Sequence, residues 1–273
     1  MISDPGLLDI SDADFARFRS FLFETAGIVL GDNKKALVSG RLMKRLRQLN
    51  CRSYGEYLAL LGKPDAGAEA QVVVDLLTTN ETYFFREMAH FDFLRNLAEQ
   101  ARLQRRALRV WSAACASGEE AYSIAMTLDD AQRGLAWQVQ ASDISSRMLA
   151  RARAGHYPES RTSHTPPHYR QAYCLRGTGP HTGTLLVDKQ LRQRVEFSQI
   201  NLNRPLPSGL GEFDVIFLRN VMIYFNSDTK RQVVQRLALQ LRRGGHVLVG
   251  HSETLSEHSA DFEIVAPSVY RKR

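Results

Sequence analysis

A doubly wound α/β domain, preceded by an all-α N-terminal domain, is the architecture this sequence predicts, and three observations predict it. Up to about residue 105 the apolar residues recur at helical spacing and strand signals are nearly absent. From residue 106 short β-rich runs alternate with helical stretches, which implies βαβ units and a parallel sheet with binding at the carboxyl ends of its strands. An irregular stretch, HTPPHYRQAYCLRGTGPHTGTLLVDKQL, then interrupts the alternation with Pro166, Pro167, Gly177, Gly179, Pro180 and Gly183, and its TLLV reads as one strand of a small hairpin excursion. The expected organisation is a helical domain over 1–76, a linker helix over 77–105 and the α/β domain over 106–273, with a small antiparallel insertion at about 165–195.

The helical part comprises FARFRSFLFETAG, a helix from Asn33 to Asn50, YGEYLALL, AEAQVVVDLLTTN and the long FFREMAHFDFLRNLAEQARLQRR. The strand candidates are RVWSAA, WQVQASD, RVEFSQI, FDVIFLRN and GGHVLVG, with a closing pair near DFEIVA and SVYRKR. A chain of 273 residues buries one large core with a smaller domain attached. Cys51, Cys115 and Cys174 form no CxxC pair, which argues for a reducing compartment and against a disulfide framework or a zinc site. The N-terminus is acidic, and no apolar run approaches the roughly 20 residues that span a bilayer. A cytoplasmic monomer that holds no metal and does not insert in a membrane is expected.

The net charge is +7, and its placement says more than its size. Residues 33–52 carry Lys34, Lys35, Arg41, Lys44, Arg45, Arg47 and Arg52 with no acid. At ~100° per residue Lys34, Arg41 and Arg45 fall in one stripe, beside an apolar face of Leu42, Leu46 and Leu49. Such a helix is either a solvated surface or a contact for an acidic partner.

The first α/β strand runs into LRVWSAACASGEEAYSIAMTL, a strand, a turn and a helix. Only Gly118 is present in the turn, so neither a dinucleotide fingerprint nor a Walker loop can be read there. Phosphates need several close backbone amides, so a cofactor without phosphate is favoured, and S-adenosylmethionine fits. Glu119 and Glu120 open the helix, where acids suit the macrodipole in any case. The second strand ends at Asp143, either an acceptor for two ribose hydroxyls or the N-cap of the helix ISSRMLARAR. Gln199, Ile200, Asn201 and Leu202, after the third strand, offer an amide and an apolar contact to an adenine ring.

The fourth strand stops at Arg219 and Asn220 and then presents Tyr224. Methyltransferases acting on amides or exocyclic amines commonly place an Asn/Asp-Pro-Pro-aromatic turn here, whose carbonyls take protons from the attacking nitrogen. RNVMIY replaces it, which suits a carboxylate acceptor that is already ionised at neutral pH. Ahead of the α/β domain, LLTTNETYFFREMAHF holds Asn80, Thr82 and Arg86. Thr78, Thr79 or Asn80 can end one helix and start the next. Arg86, among Phe84, Phe85 and Phe91, is expected to be partly buried and paired with a carboxylate.

Together TTNETYFFRE, SGEE, SDI and RNVMIYF in this order resemble the CheR family of chemotaxis receptor methyltransferases, and AGIVL, RLMKRLR, RGTGPHTG, VEFSQINL and GHSE extend the likeness over nearly the whole chain. The resemblance implies a Rossmann-like class I methyltransferase domain with an antiparallel β-subdomain, transferring methyl from S-adenosylmethionine to receptor glutamates and releasing S-adenosylhomocysteine. It places Asn80, Thr82, Arg86, Glu120, Asp143, Asn201, Leu202, Arg219 and Asn220 at the cofactor. Arg86 would hold the acceptor carboxylate and Tyr224 would stand beside the methyl. Lys34, Arg41, Lys44, Arg45 and Arg47 would meet a receptor helix bundle. The loop with Gly177, Gly179 and Gly183 resembles members that grip a C-terminal receptor peptide. Ala121, where the family usually has proline, and the Cys115-Ala116 pair depart from the pattern, and altered packing is expected from both. The competing readings are a methyltransferase of the same fold acting on RNA or a small molecule, and a non-enzymatic cofactor-binding regulator. The basic helix lacks interleaved aromatics for base stacking, so nucleic acid is not expected as a partner.

Overall fold

The computed structural model describes residues 9–255 and 261–273. It separates into two compact units, Met1–Thr79 with Tyr224–Asn226, and Asn80–Ile223 with Ser227–Arg273.

The first unit is helical: α1 (Asp12–Ala26), α2 (Lys35–Gln48), α3 (Tyr54–Leu61) and α4 (Gly67–Leu77). Ser11 caps α1 by accepting the amide of Asp14 at 3.0 Å, and Gly27, at φ 73°, ends it in the left-handed conformation that glycine adopts without cost. Val38, Leu42 and Leu46 of α2 are buried at the spacing that puts them on one face, while Phe18 packs edge-on against Tyr54 at 6.4 Å. A 3-10 turn at Asp32–Lys34 precedes α2, so the regular helix opens at Lys35, not Asn33. The segment Tyr224–Asn226 joins this unit through a bridge between Ile28 and Phe225 and through the Val29 amide, which donates to the Tyr224 carbonyl at 2.8 Å.

In the second unit α5 (Ala89–Leu103) is followed by β1 (Leu108–Ser112), α6 (Glu119–Gln132), β2 (Trp137–Asp143) and α7 (Ser146–Ala154). An insertion follows: β3 (His156–Pro158), α8 (Pro167–Tyr173), β4 (Cys174–Arg176), β5 (Thr184–Val187) and the short α9 (Lys189–Arg192). The chain closes with β6 (Val195–Gln199), β7 (Phe213–Leu218), α10 (Ser227–Gln240), β8 (Leu241–Val249), β9 (Phe262–Ala266) and β10 (Val269–Lys272). The main sheet has the order β6-β2-β1-β7-β8-β10-β9, parallel from β6 through β8, with β10 antiparallel to both its neighbours. Strand order reverses between β1 and β7, and in open α/β sheets the crevice beyond the carboxyl ends at such a point is where ligands bind.

Three local readings differ from the periodic pattern. The helix after FFRE starts only at Ala89, because Phe85 (φ 54°) and Glu87 (φ 59°) leave the helical region while Phe84 and Phe85 turn into the core, Phe85 stacking on Tyr169 at 4.8 Å. The β6–β7 connection, residues 200–212, carries no helix; Pro205, Pro207 and two left-handed glycines, Gly209 and Gly211 (both φ 83°), break it. The small sheet begins at His156, ahead of the expected start, and TLLV is its central strand in the order β3-β5-β4.

One buried and one half-buried histidine set an acid limit on stability. Burial first, and then neighbouring arginines, push His90 and His246 down to about 4. The unfolded chain takes up these protons near pH 6.5 and the folded chain only near 4, so their contribution is complete above 6.5 and is lost as pH falls toward 4. Glu119 and Glu120, raised chiefly by burial, act with the opposite sign, so a variant is the clean readout. Half-buried His246→Phe should reduce the loss of unfolding free energy between pH 7 and 5 by about 1 kcal/mol once solvent screening is allowed for. Denaturant titrations giving wild type and variant the same pH slope would rule this out.

Candidate active site

The turn from β1 to α6 is held on both sides. The Ala113 amide donates to the Phe217 carbonyl and the Cys115 amide to the Ser142 carbonyl, both at 2.9 Å, so the turn bridges β7 and β2. Gly118 sits at φ 96°, and a Cβ there would stand 2.8 Å from the Ala152 Cβ; both backbone and space require glycine. Asp143 reaches the same turn: one carboxylate oxygen accepts the Ala116 amide and the other the Ser145 amide, each at 2.8 Å. The N-cap of α7 is Ser145, which accepts the Met148 amide, so Asp143 is not the helix cap. The Ile200 amide donates to the Asp143 carbonyl at 3.1 Å, which brings Asn201 and the buried Leu202 to the same carboxyl edge.

Arg219, at the end of β7, organises the centre. Its buried guanidinium pairs with Glu120 of α6 at 2.9 Å and with Glu87 at 3.0 Å, and it donates to the Arg86 carbonyl. Ser112 donates to the other oxygen of Glu120 at 2.6 Å. Burial raises the Glu120 carboxyl against the pull of Arg219; burial also works on Glu87, but there the Arg219 charge and hydrogen bond prevail and hold it below the usual carboxylate value. Two carboxylates thus face one guanidinium, leaving net negative charge. Glu119, likewise pushed up by burial, takes Ser117 at 2.7 Å and Arg161 at 2.9 Å. Arg161 also donates to the Thr82 carbonyl, and Tyr157 to the Ser117 carbonyl, so the base of the insertion is fastened to the turn.

The residue that sequence reasoning missed is Glu253. One of its oxygens accepts the amides of Asn220 and Gly250, both at 2.7 Å, and the other those of Met222 at 2.8 Å and Ile223 at 3.3 Å. Asn220, at φ 55°, is left-handed, a conformation that costs a non-glycine residue and needs outside support. The GHSE motif that supplies this support shows no periodicity, so only the order of motifs pointed to it.

The remaining predicted residues lie as follows. Asn80 and Thr82 are half-buried in the extended segment after α4; Leu77 ends that helix and Thr78, in β conformation, follows it, so no second helix begins there. Arg86 is half-buried, but its partners are the Glu81 carbonyl at 2.9 Å and the Tyr83 ring at 5.8 Å; the carboxylates expected for it belong to Arg219. Tyr224 closes the 3-10 turn Met222–Tyr224. On α2, Arg41 is drawn inward to the Leu77 and Thr78 carbonyls at 2.9 and 3.0 Å, and Arg45 pairs with Glu69, while Lys34, Lys44 and Arg47 are exposed. The closeness Gly177 permits is used within its own loop, since a Cβ there would stand 1.9 Å from the His181 carbonyl oxygen; Gly179 and Gly183 take left-handed turns over open space.

The donor set suits S-adenosylmethionine. Asp143 stands at the tip of the second strand, the position at which nucleoside-binding α/β sheets commonly carry an acid, and the excess of carboxylates around Arg219 suits a sulfonium cation. The buried Nε of Arg219 has no hydrogen-bond partner among the described residues and remains a donor for an anionic group. Comparisons with known proteins agree. Residues 80–271 match the CheR methyltransferase SAM-binding domain, and residues 13–78 the CheR methyltransferase all-alpha domain. A chemotaxis protein methyltransferase of Salmonella typhimurium is 44% identical over 266 residues, 96% of this chain and 91% of that protein. The one from Escherichia coli is 42% identical over 96% of this chain and 92% of its own length. Chemotaxis protein methyltransferase 2 of Pseudomonas aeruginosa is 43% identical, covering 94% and 92%. The chain belongs to the CheR family and is an S-adenosylmethionine-dependent methyltransferase.

Proposed function

We propose that the enzyme methylates glutamate side chains on the cytoplasmic helical bundle of methyl-accepting chemotaxis receptors, acting as a cytoplasmic monomer without nucleic acid. The observation that carries this reading is the loop after β7. In Asn220–Ile223 three backbone amides are spent on Glu253 and no Pro-Pro turn presents carbonyls, so the loop is built for an acceptor that brings no proton. No helix among the described residues is long and apolar enough to cross a membrane. When bound, the cofactor supplies an electrophilic methyl group and leaves as S-adenosylhomocysteine. The protein contributes orientation and charge placement. Arg86, held by a carbonyl and a ring, has guanidinium donors left for the acceptor carboxylate. Tyr224 follows directly on the Glu253-held turn and would offer its hydroxyl or ring edge to the methyl group.

Incubation with labelled S-adenosylmethionine and receptor-containing membranes, followed by base, should release volatile methanol, the signature of a carboxyl methyl ester. Label retained through base treatment would exclude the glutamate reading. The exposed cations of α2 and of the 3-10 turn that leads into it, Lys34, Lys44 and Arg47, are the proposed receptor contact. Arg41 and Arg45 also hold the helical unit together, so charge reversal at Lys34 and Lys44 is the cleaner test. That pair of changes should cut receptor methylation at least about tenfold at low salt and leave cofactor affinity alone; full methylation would remove α2 from the interface.

The small sheet is the proposed tether for a C-terminal receptor peptide. The order β3-β5-β4 leaves β3 and β4 at its edges, and Leu175 on β4 is 57% exposed. An extended peptide can join such an edge and raise the local enzyme concentration. Synthetic C-terminal peptides from the organism's receptors should include one that binds with the cofactor site empty. Binding by none, or binding indifferent to Leu175→Asp, leaves the small sheet without this role.

A further inference from the structure

We propose that Glu87, His90 and His251 form a binding site for a divalent transition metal of the zinc class. One donor atom from each side chain lies within 4.8 Å of the others. The Glu87 Oε2 is 3.4 Å from His90 Nδ1 and 3.8 Å from His251 Nε2. Ligands at about 2.0–2.1 Å from a tetrahedral zinc stand roughly 3.3–3.5 Å from one another. One edge of the triangle already fits, and His251, with 62% of its side chain exposed, is free to rotate onto the metal.

A second, independent observation points into the cluster. His90 is 1% exposed, yet neither ring nitrogen has a hydrogen-bond partner among the described residues. Burying an imidazole with both nitrogens unsatisfied is costly, and a cation bound at Nδ1 would satisfy one of them. Two imidazoles and one carboxylate are a donor set for zinc, nickel, copper or cobalt, whereas magnesium and calcium want oxygen alone. Solvent on the His251 side supplies water to the remaining position.

Arg219 tempers the affinity. Its guanidinium lies 3.0 Å from the same Glu87 oxygen, so a metal shares that carboxylate with a positive charge. A carboxylate oxygen has a second lone pair, and Arg219 also faces Glu120, which offsets its charge. Modest affinity is therefore expected. Occupation would pin the loop carrying His251 and Glu253 to the segment carrying Arg86 and Glu87. Glu87 is shared with the Arg219 cluster of the cofactor site, but His90 and His251 have no part in the methyl-transfer chemistry, so a test at the histidines is independent of the choice of methyl acceptor.

Titration of the metal-free full-length protein with Co2+, followed by visible absorption, and with Zn2+, followed by calorimetry, tests the proposal. Wild type should show saturable binding with the intense absorption of tetrahedral Co2+, and Zn2+ should raise its Tm. His251→Ala, at an exposed position, should keep its fold, lose the absorption and bind at least about tenfold more weakly. His90→Ala, where it folds, should do the same. Equal binding by wild type and His251→Ala would put the metal elsewhere, and absence of saturable binding would leave His90 as an unsatisfied core residue; either result overturns the site.

Discussion

Arg219→Met should abolish measurable cofactor binding and lower the stability of the second unit by roughly 3–5 kcal/mol. Arg219 is buried and is the only cation in ion-pair contact with Glu120 among the described residues. Removing it leaves two carboxylates facing each other's field in a site that burial has already made costly for Glu120. Burial would then push the Glu120 carboxyl further toward its protonated form with no guanidinium to oppose it, and the charge distribution suited to a sulfonium would be gone. The Arg86 carbonyl would lose its donor as well, freeing the segment that carries Asn80, Thr82 and Arg86. Adding Glu120→Gln should recover part of the stability, since the double variant leaves one carboxylate, Glu87, without the guanidinium instead of two, but it should recover no binding. Denaturant unfolding and calorimetry with S-adenosylhomocysteine measure the two effects separately. Wild-type affinity in Arg219→Met would show that the guanidinium serves the fold alone.

How much of this was legible in the sequence depended on where each partner lay. Asp143 and Glu120 could be read because a strand, a turn and a helix in succession place residues at a sheet's carboxyl edge by local geometry. Even so, the near neighbour Ser145 took the capping role that Asp143 could have had. Arg86 was legible as an arginine among aromatics but not as to its partner. The positive φ values of Phe85 and Glu87 turn the chain so that the phenylalanines enter the core while the arginine side chain meets a carbonyl. The buried pairing went to Arg219, on a strand far along the chain. Arg41 and Arg45 show a similar limit: helical periodicity assigns them a face but does not reveal that α4 ends beneath Arg41 or that Glu69 lies opposite Arg45. The β6–β7 connection is legible as loop from Pro205, Pro207, Gly209 and Gly211.

Glu253→Ala should lower turnover by about 100-fold, equivalent to roughly 2.7 kcal/mol in the barrier, while moving the cofactor KM much less. Four backbone amides converge on this carboxylate, three of them from Asn220, Met222 and Ile223, the turn that runs straight into Tyr224. Without the acceptor, Asn220 has no reason to stay at φ 55°, and relaxing it re-aims the residues on either side. A shift of about 1 Å in a positioned group is enough for a hundredfold loss. Unsatisfied amides also cost stability, on the order of 1–3 kcal/mol, so assays belong well below the variant's Tm, where nearly all of it is folded. Glu253→Gln is the informative companion. It keeps an oxygen for one pair of amides and turns an NH2 toward the other, so it should fall between alanine and wild type in turnover with the same KM pattern. If both variants lose only stability and turn over normally when folded, Glu253 is a structural anchor and the turn keeps its shape by other means.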